Sequence, residues 1–318
     1  MTADTALAAG THVVLGTGQV GVPVARTLGE RGADVRVVNR SGTAPDGVAN
    51  EVEVVAGDVS DPDTARDVCE GAAVVYCCLN PPYADWSELF PPLIEGALAG
   101  AERADARFVL ADNCYAYGPV DGPLTEDLPA AATGEKGRVR AELADTVLEA
   151  HESGRVRATI GRASDFYGPG ATASIAGERM FPQILDGGTV NYLGDPDAPH
   201  TYTYVPDFAR ALVTLGASER ALGEAWHVPN AETLTTREFV ALAGEVAGTE
   251  PSVRATPAWL ARLLGVVSPQ VRELRETRYQ RAEPFVVSHR KFADAFDFEP
   301  TPHAEALDRT LSWYRSEY

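Results

Sequence analysis

The chain has 318 residues, 45% hydrophobic and 23% charged, a globular composition with room for one large domain or two modest ones. A formal net charge of −19 repels nucleic acid and anionic membranes, so neither is an expected partner. The opening MTADTALAAG lacks a basic segment followed by an apolar run, and no apolar stretch reaches membrane-spanning length, so a cytoplasmic protein is expected.

The cationic set holds only two lysines, Lys136 and Lys291, against 46 Asp and Glu, spread along the chain as on the solvated surfaces of halophilic proteins. Cys69, Cys77, Cys78 and Cys114 have no zinc-ligand spacing and read as small buried apolar side chains. No metal site is expected.

In chain order, short β-rich runs alternate with helical stretches. Thr11–Leu15 is a strand candidate, followed by a glycine-rich turn and a helix from Gln19 to about Arg31. Further strands are predicted at Asp34–Asn39, Val52–Ala56, Ala73–Cys78, Arg107–Ala111 and Val156–Ile160, with helices near Pro62–Glu70, Trp86–Arg103 and Lys136–Glu152. Apolar runs alternating with helices predict parallel strands covered on both faces, a doubly wound α/β domain over residues 1–162. Its ligand crevice belongs at the carboxyl ends of the strands.

Beyond Gly161 the loops lengthen and Pro and Gly cluster. Residues 163–318 are expected to form a smaller mixed α/β substrate-binding region placed to close over a ligand, with some segments rejoining the first sheet. Thr235 reads as the N-cap of one helix and Ser288 as the cap of another begun by His289 and Arg290.

Gly16-Thr17-Gly18-Gln19-Val20-Gly21 is a G-x-G-x-x-G run following a predicted strand and opening a predicted helix. Gly16 allows the tight turn, Gly18 the approach of backbone N–H groups to a pyrophosphate, and Gly21 close helix–sheet packing. The helix N-terminus adds a field that favours phosphate. At the end of the second strand, Asn39-Arg40-Ser41 stands where NAD sites place an acidic residue. A guanidinium with hydroxyl and amide donors suits a 2′-phosphate, so NADP is the expected cofactor and NAD the alternative.

These residues resemble the extended short-chain dehydrogenase/reductases, the NAD-dependent epimerase/dehydratase family. The similarity includes the glycine turn, Gly57-Asp58, the stretch ending Tyr117-Gly118, Glu126, Arg162 with Tyr167-Gly168-Pro169-Gly170, and Tyr204-Val205-Pro206-Asp207. The resemblance implies that Asp58 and Val59 meet the adenine ring and that Leu79 and Asn80 line the ribose and nicotinamide side. It also implies a homodimer formed through a helix pair.

The family's catalytic pattern is not recovered. Its Ser or Thr, four residues before the Tyr of the Tyr-Gly pair, is Asn113 here. Aligning Lys136 with the lysine of Tyr-x-x-x-Lys puts Ala132 where the tyrosine belongs. Candidates for the lost acid/base are Tyr115 and Tyr117, with Asp112 nearby and Lys136 near the nicotinamide ribose. At the substrate positions the family's Asn corresponds to Asp165, its Arg to His200 and its His to Tyr204, while Tyr167 follows the sixth strand. A carboxylate at Asp165 argues against a nucleotide diphosphate. The expectation is an NAD(P)-dependent oxidoreductase or epimerase acting on a small carbonyl or hydroxyl substrate. A cofactor-binding regulator or sensor, and a non-redox lyase or isomerase, are the competing readings.

Overall fold

The computed structural model describes residues 7–49, 52–256 and 276–317. It opens with β1 (Thr11–Leu15), α1 (Gly21–Glu30), β2 (Asp34–Asn39), β3 (Glu53–Ala56), α2 (Pro62–Val68) and β4 (Ala72–Cys77). Next come α3 (Trp86–Ala104), β5 (Arg107–Asn113), α4 (Glu135–Glu152), β6 (Arg157–Ala163), β7 (Asp165–Tyr167), α5 (Phe181–Leu185) and β8 (Thr189–Tyr192). The remainder is β9 (Pro199–His200), β10 (Tyr202–Tyr204), α6 (Val205–Ala217), β11 (Ala225–His227), β12 (Leu234–Thr235), α7 (Thr236–Ala247), β13 (Ser252–Ala255), α8 (Tyr279–Ala282), α9 (Arg290–Ala295) and α10 (His303–Glu317).

The chain divides into two compact units. The first comprises the described residues up to Ala116, Lys136–Arg162 and Phe208–Val228. The second comprises Tyr117–Glu135, Ala163–Asp207 and the described residues from Pro229 onward.

The first unit holds a seven-stranded sheet in the order β11-β6-β5-β4-β1-β2-β3, the doubly wound arrangement that reverses direction beside β1. Pairs β1–β2, β1–β4, β2–β3, β4–β5 and β6–β11 are parallel. Alternate residues serve opposite faces. Val13, Leu15, Val75, Cys77, Phe108 and Leu110 join one buried cluster with Phe90, Ile94 and Leu98 of α3 and Val139, Leu143 and Val147 of α4. Toward α6, Gly161 lies against Phe208, Leu212 and Leu215, and Gly216 leaves room for Tyr76, whose hydroxyl would lie 2.5 Å from a Cβ there. All four cysteines are buried thiols.

The second unit has short two-stranded pairings, β7–β10, β9–β12 and β8–β13, around an aromatic core. Tyr202 stacks on Phe239 at 4.4 Å between centroids, Tyr167 meets Phe239 edge-on at 5.1 Å, and Phe181 stacks on Tyr314 at 5.1 Å. Thr235 caps α7 as expected, in a reciprocal capping box with Glu238. The N-cap position of α9 falls on His289, whose own side chain makes no cap bond, while Ser288 Oγ accepts the Arg290 N–H at 3.5 Å. The helix begins one residue later than its sequence suggests, and Ser288 makes its bond from one position outside it.

Candidate functional site

The glycine turn sits at the carboxyl edge of the first unit's sheet. Gly16 has φ +96 and its N–H bonds the Val38 carbonyl at 2.9 Å. A Cβ on Gly16 would stand 3.0 Å from the Cys78 carbonyl oxygen, so the turn runs against the exit of β4. A Cβ on Gly21 would collide with the Gly16 carbonyl, whereas one on Gly18 would meet nothing within 4 Å. Gly16 and Gly21 are thus needed by the protein's own packing, and Gly18 leaves open space. Val20, the N-cap of α1, offers no side-chain cap. Within the first turn the Val22 N–H already bonds the Gly18 carbonyl at 3.3 Å and Pro23 has no N–H, so what this start offers a phosphate is the open space at Gly18 and the field of the helix N-terminus. Thr17 and Gln19 complete the turn.

At the end of β2, Asn39 organises the following loop. Its Nδ2 donates to the Thr43 carbonyl at 2.8 Å and to Thr17 Oγ1 at 3.4 Å, and its Oδ1 accepts from Ser41 Oγ and the Gly42 N–H. Asn39 and Ser41 are therefore engaged with each other, while the side chains of Arg40 and Ser41 are both exposed. Asp58 accepts from the Ser60 hydroxyl and N–H, which hold its carboxyl below the usual range against a small burial effect, with the charge of Arg40 adding to them. Val59 is buried in the hydrophobic cluster, so its side chain is core and only its backbone can serve a ligand. Leu79 packs partly into the same cluster, while Asn80 is exposed.

At the exit of β5, Asn113 Oδ1 accepts the Tyr115 backbone N–H at 3.0 Å, closing a short turn over Cys114–Tyr117. Half-buried Tyr115 lies 6.0 Å from the Trp86 ring. Tyr117 is 1% exposed and falls in the second unit. Lys136, at the start of α4, is 6% exposed. Its ammonium donates to the Ala84 carbonyl at 3.3 Å and lies 5.1 Å from the centroid of the Tyr83 ring.

One turn further along α4 lies a group that sequence reasoning missed. Arg140 is buried, with its guanidinium 4.3 Å from the Trp86 ring and 4.5 Å from Phe90. One arm reaches Asp112 Oδ1 at 3.3 Å and the other Asn80 Oδ1 at 3.3 Å. Arg162 Nε binds the second Asp112 oxygen at 3.1 Å. Burial lowers the Arg140 pKa, with Asp112, Tyr115 and Cys77 acting against it. The i, i+4 spacing of Lys136 and Arg140, in phase with Val139, Leu143 and Val147, is the sequence signal that could have revealed two cations on a buried face.

In the second unit the expected substrate residues are largely committed to one another. His200 Nε2 lies 3.1 Å from Asp165 Oδ2, although neither atom has a well-aligned hydrogen-bond partner. The ring's Nδ1 lies 3.1 Å from the Gln280 carbonyl. Burial pushes the Asp165 carboxyl up, but the close approach of the His200 ring, with Arg281, outweighs it and leaves it lowered. Tyr167 is a core residue, its hydroxyl 2.8 Å from His303 Nδ1. Because the Glu232 carbonyl, 2.9 Å from His303 Nε2, can only accept, Nε2 carries the proton and Tyr167 donates to Nδ1. Tyr204 is buried as well, and burial raises its pKa. The Tyr167 hydroxyl is thus spent on the unit's interior and that of Tyr204 bonds the exposed Arg309; of the four residues Asp165, with 13% side-chain exposure, keeps a partly open face. Among the described residues, no group of three or more His, Cys, Asp or Glu is arranged to hold a metal. No helix among them is long and apolar enough to cross a membrane.

A parallel sheet reversing beside β1, with a glycine turn opening a helix at that point, defines a Rossmann-type fold. Residues 13–228 match the NAD dependent epimerase/dehydratase family, well over half of the chain. The chain belongs to that family. No curated protein matches it. Among solved structures it is similar to an epimerase from the thermophilic methanogen Methanothermobacter thermautotrophicus, at 18% identity and a TM-score of 0.79 over 97% of this chain and 93% of the other. It is also similar to UDP-glucuronic acid 4-epimerase from Bacillus cereus, in complex with UDP-glucuronic acid and NAD, at 16% identity and a TM-score of 0.75 over 97% and 100%. A third, dTDP-glucose 4,6-dehydratase from Bacillus anthracis in complex with NAD, shares 15% identity at a TM-score of 0.74 over 96% of each chain. At these identities the likeness is one of fold.

Proposed function

We propose that the protein is an NADP-preferring oxidoreductase or epimerase acting on a small carbonyl or hydroxyl compound. The observation that carries this reading is the glycine turn, where Gly18 leaves open space before an α1 start that no side chain caps. Gly16, Thr17, Gly18, Gln19, Val20 and Gly21 would hold the pyrophosphate, Asp58 and the Val59 backbone the adenine, and Leu79, Asn80 and Lys136 the nicotinamide side. Arg40 supports NADP over NAD, because its exposed guanidinium stands at the strand-two terminus where a 2′-phosphate would lie. When bound, a nicotinamide cofactor supplies reversible hydride exchange with a substrate carbon.

The chain's own part is to hold the oxygen on that carbon. Asn113 keeps its amide NH2 for this, since its Oδ1 is used by the Tyr115 N–H. An amide donor polarises a carbonyl without changing charge, and Tyr115, two residues on, is the titratable group proposed to exchange the proton. Nucleotide sugars, the ligands of two of the similar structures or their names, are disfavoured because Asp165 and His200 engage each other in place of the family's amide and guanidinium. A homodimer accompanies this reading, as the resemblance implies.

The sensor reading draws support from the burial of Tyr117 and the engagement of Lys136 with Ala84, which leave few acid/base candidates at the strand-five exit. One experiment separates the two. The full chain is incubated with NADPH carrying deuterium at the transferable position and a panel of small aldehydes and ketones, and products are examined for deuterium. Transfer that falls in Tyr115→Phe and Asn113→Ala supports the enzyme; tight NADPH binding without transfer to any compound supports the sensor.

A further inference from the structure

Arg140 is built into the fold in a way that a packing residue does not require. Its guanidinium lies against two aromatic rings, and its two arms reach the exits of two neighbouring strands, Asn80 after β4 and Asp112 in β5. A guanidinium has donors only, so this contact fixes which end of the Asn80 amide turns inward. Oδ1 faces Arg140, and the Nδ2 donor faces away. Asn113 is oriented in the same sense, its Oδ1 turned to the Tyr115 N–H.

The two asparagines lie at the exits of neighbouring strands. β4 and β5 pair with Cys77 opposite Leu110, and Asn80 and Asn113 each lie three residues beyond that pair. The glycine turn packs on Cys78 and Leu79, immediately before Asn80. A dinucleotide laid on that turn therefore continues past Asn80. Asp112, gripped by both Arg140 and Arg162, fixes the strand end from which Asn113 follows.

We infer that Arg140 is a positioning residue for the nicotinamide half of the cofactor. It orients the Asn80 amide so that Nδ2 donates to an oxygen of the bound nicotinamide riboside, and it sets the Asn113 donor through Asp112. The inference rests on the cofactor reading above. It gives a role to the charged knot at the strand exits, where the family's tyrosine and serine are absent, and it makes Arg140 specific to one half of the ligand.

The test compares NADPH with 2′-phospho-ADP-ribose, which lacks the nicotinamide, by calorimetric titration of the full chain. Arg140→Lys keeps a positive charge toward Asp112 but cannot bridge to Asn80, and Asn80→Ala removes the exposed recipient. Each is expected to weaken NADPH about tenfold while 2′-phospho-ADP-ribose stays within about twofold of wild type. The double variant is expected to be no weaker for NADPH than the weaker single, because the two residues act as one unit. Equal weakening of both ligands would make Arg140 a structural residue and overturn the inference, as would additive losses in the double variant or unchanged NADPH affinity. Wild type that binds neither ligand refutes the cofactor reading itself, a distinct result.

Discussion

Gly18 and Gly21 make a pair of substitutions with opposite expected signs. An alanine Cβ at Gly18 meets nothing within 4 Å, and this glycine is not among those with positive φ. Gly18→Ala should therefore leave the apo protein as stable as wild type or stabilise it by about 0.4–1 kcal/mol, through loss of unfolded-state freedom. The same methyl occupies the space kept for the pyrophosphate, so NADPH affinity should fall at least about tenfold, or about 1.4 kcal/mol. Gly21→Ala should behave differently. Its Cβ falls 2.9 Å from the Gly16 carbonyl carbon and 3.5 Å from Cys78 Cβ, both in the packed turn. Overpacking of this kind costs about 1–3 kcal/mol in the absence of any ligand. Urea unfolding of both apo variants, with a NADPH titration of each, reads the two effects separately. A Gly18→Ala protein that binds NADPH like wild type would refute the assignment of this turn to phosphate.

Asp112→Asn should destabilise the chain by about 3–5 kcal/mol, because Arg140 and Arg162 lose the carboxylate they share in a buried setting; a loss below about 1 kcal/mol in urea unfolding contradicts that. Stability should also fall as pH drops from about 6.5, the unfolded value for histidine. Burial lowers His12, His289 and His303 in the folded state, so the unfolded chain takes up protons first and each group contributes a slope of up to about 1.4 kcal/mol per pH unit in that window. Chemical unfolding between pH 7 and 5 in high salt checks the sign, and a flat or rising profile would show that these rings protonate without cost. Because the surface carries a net −19, added salt at pH 7 should raise the melting temperature by screening self-repulsion, which a thermal scan against KCl concentration reads directly.

Much of the first unit was legible because a buried parallel sheet writes itself in β-branched runs. Thr11–Leu15 and Asp34–Asn39 match their predicted bounds, and the helices around them differ by a residue or two. Gly16 to Gly21 was legible because the turn's geometry admits so few residue types. Asn39 and Ser41 were read as ligand donors, yet side chains this short also bond their own loop, and here they do. The charged knot was not legible. Arg140 on a helix reads as a solvated surface residue, and only the three-dimensional meeting of Asp112, Asn80, Trp86 and Phe90 takes it inside. Tyr167 illustrates the converse. Its position after the sixth strand suggested a ligand contact, but its partner His303 lies 136 residues away, beyond any local pattern.

The most direct test of the account is a parallel titration of NADPH and NADH into wild type and Arg40→Ala. NADPH should bind wild type at least about tenfold more tightly than NADH, and that ratio should collapse toward one in the variant. Absence of binding by either cofactor, tighter NADH binding, or a ratio unchanged by the loss of Arg40 would contradict it.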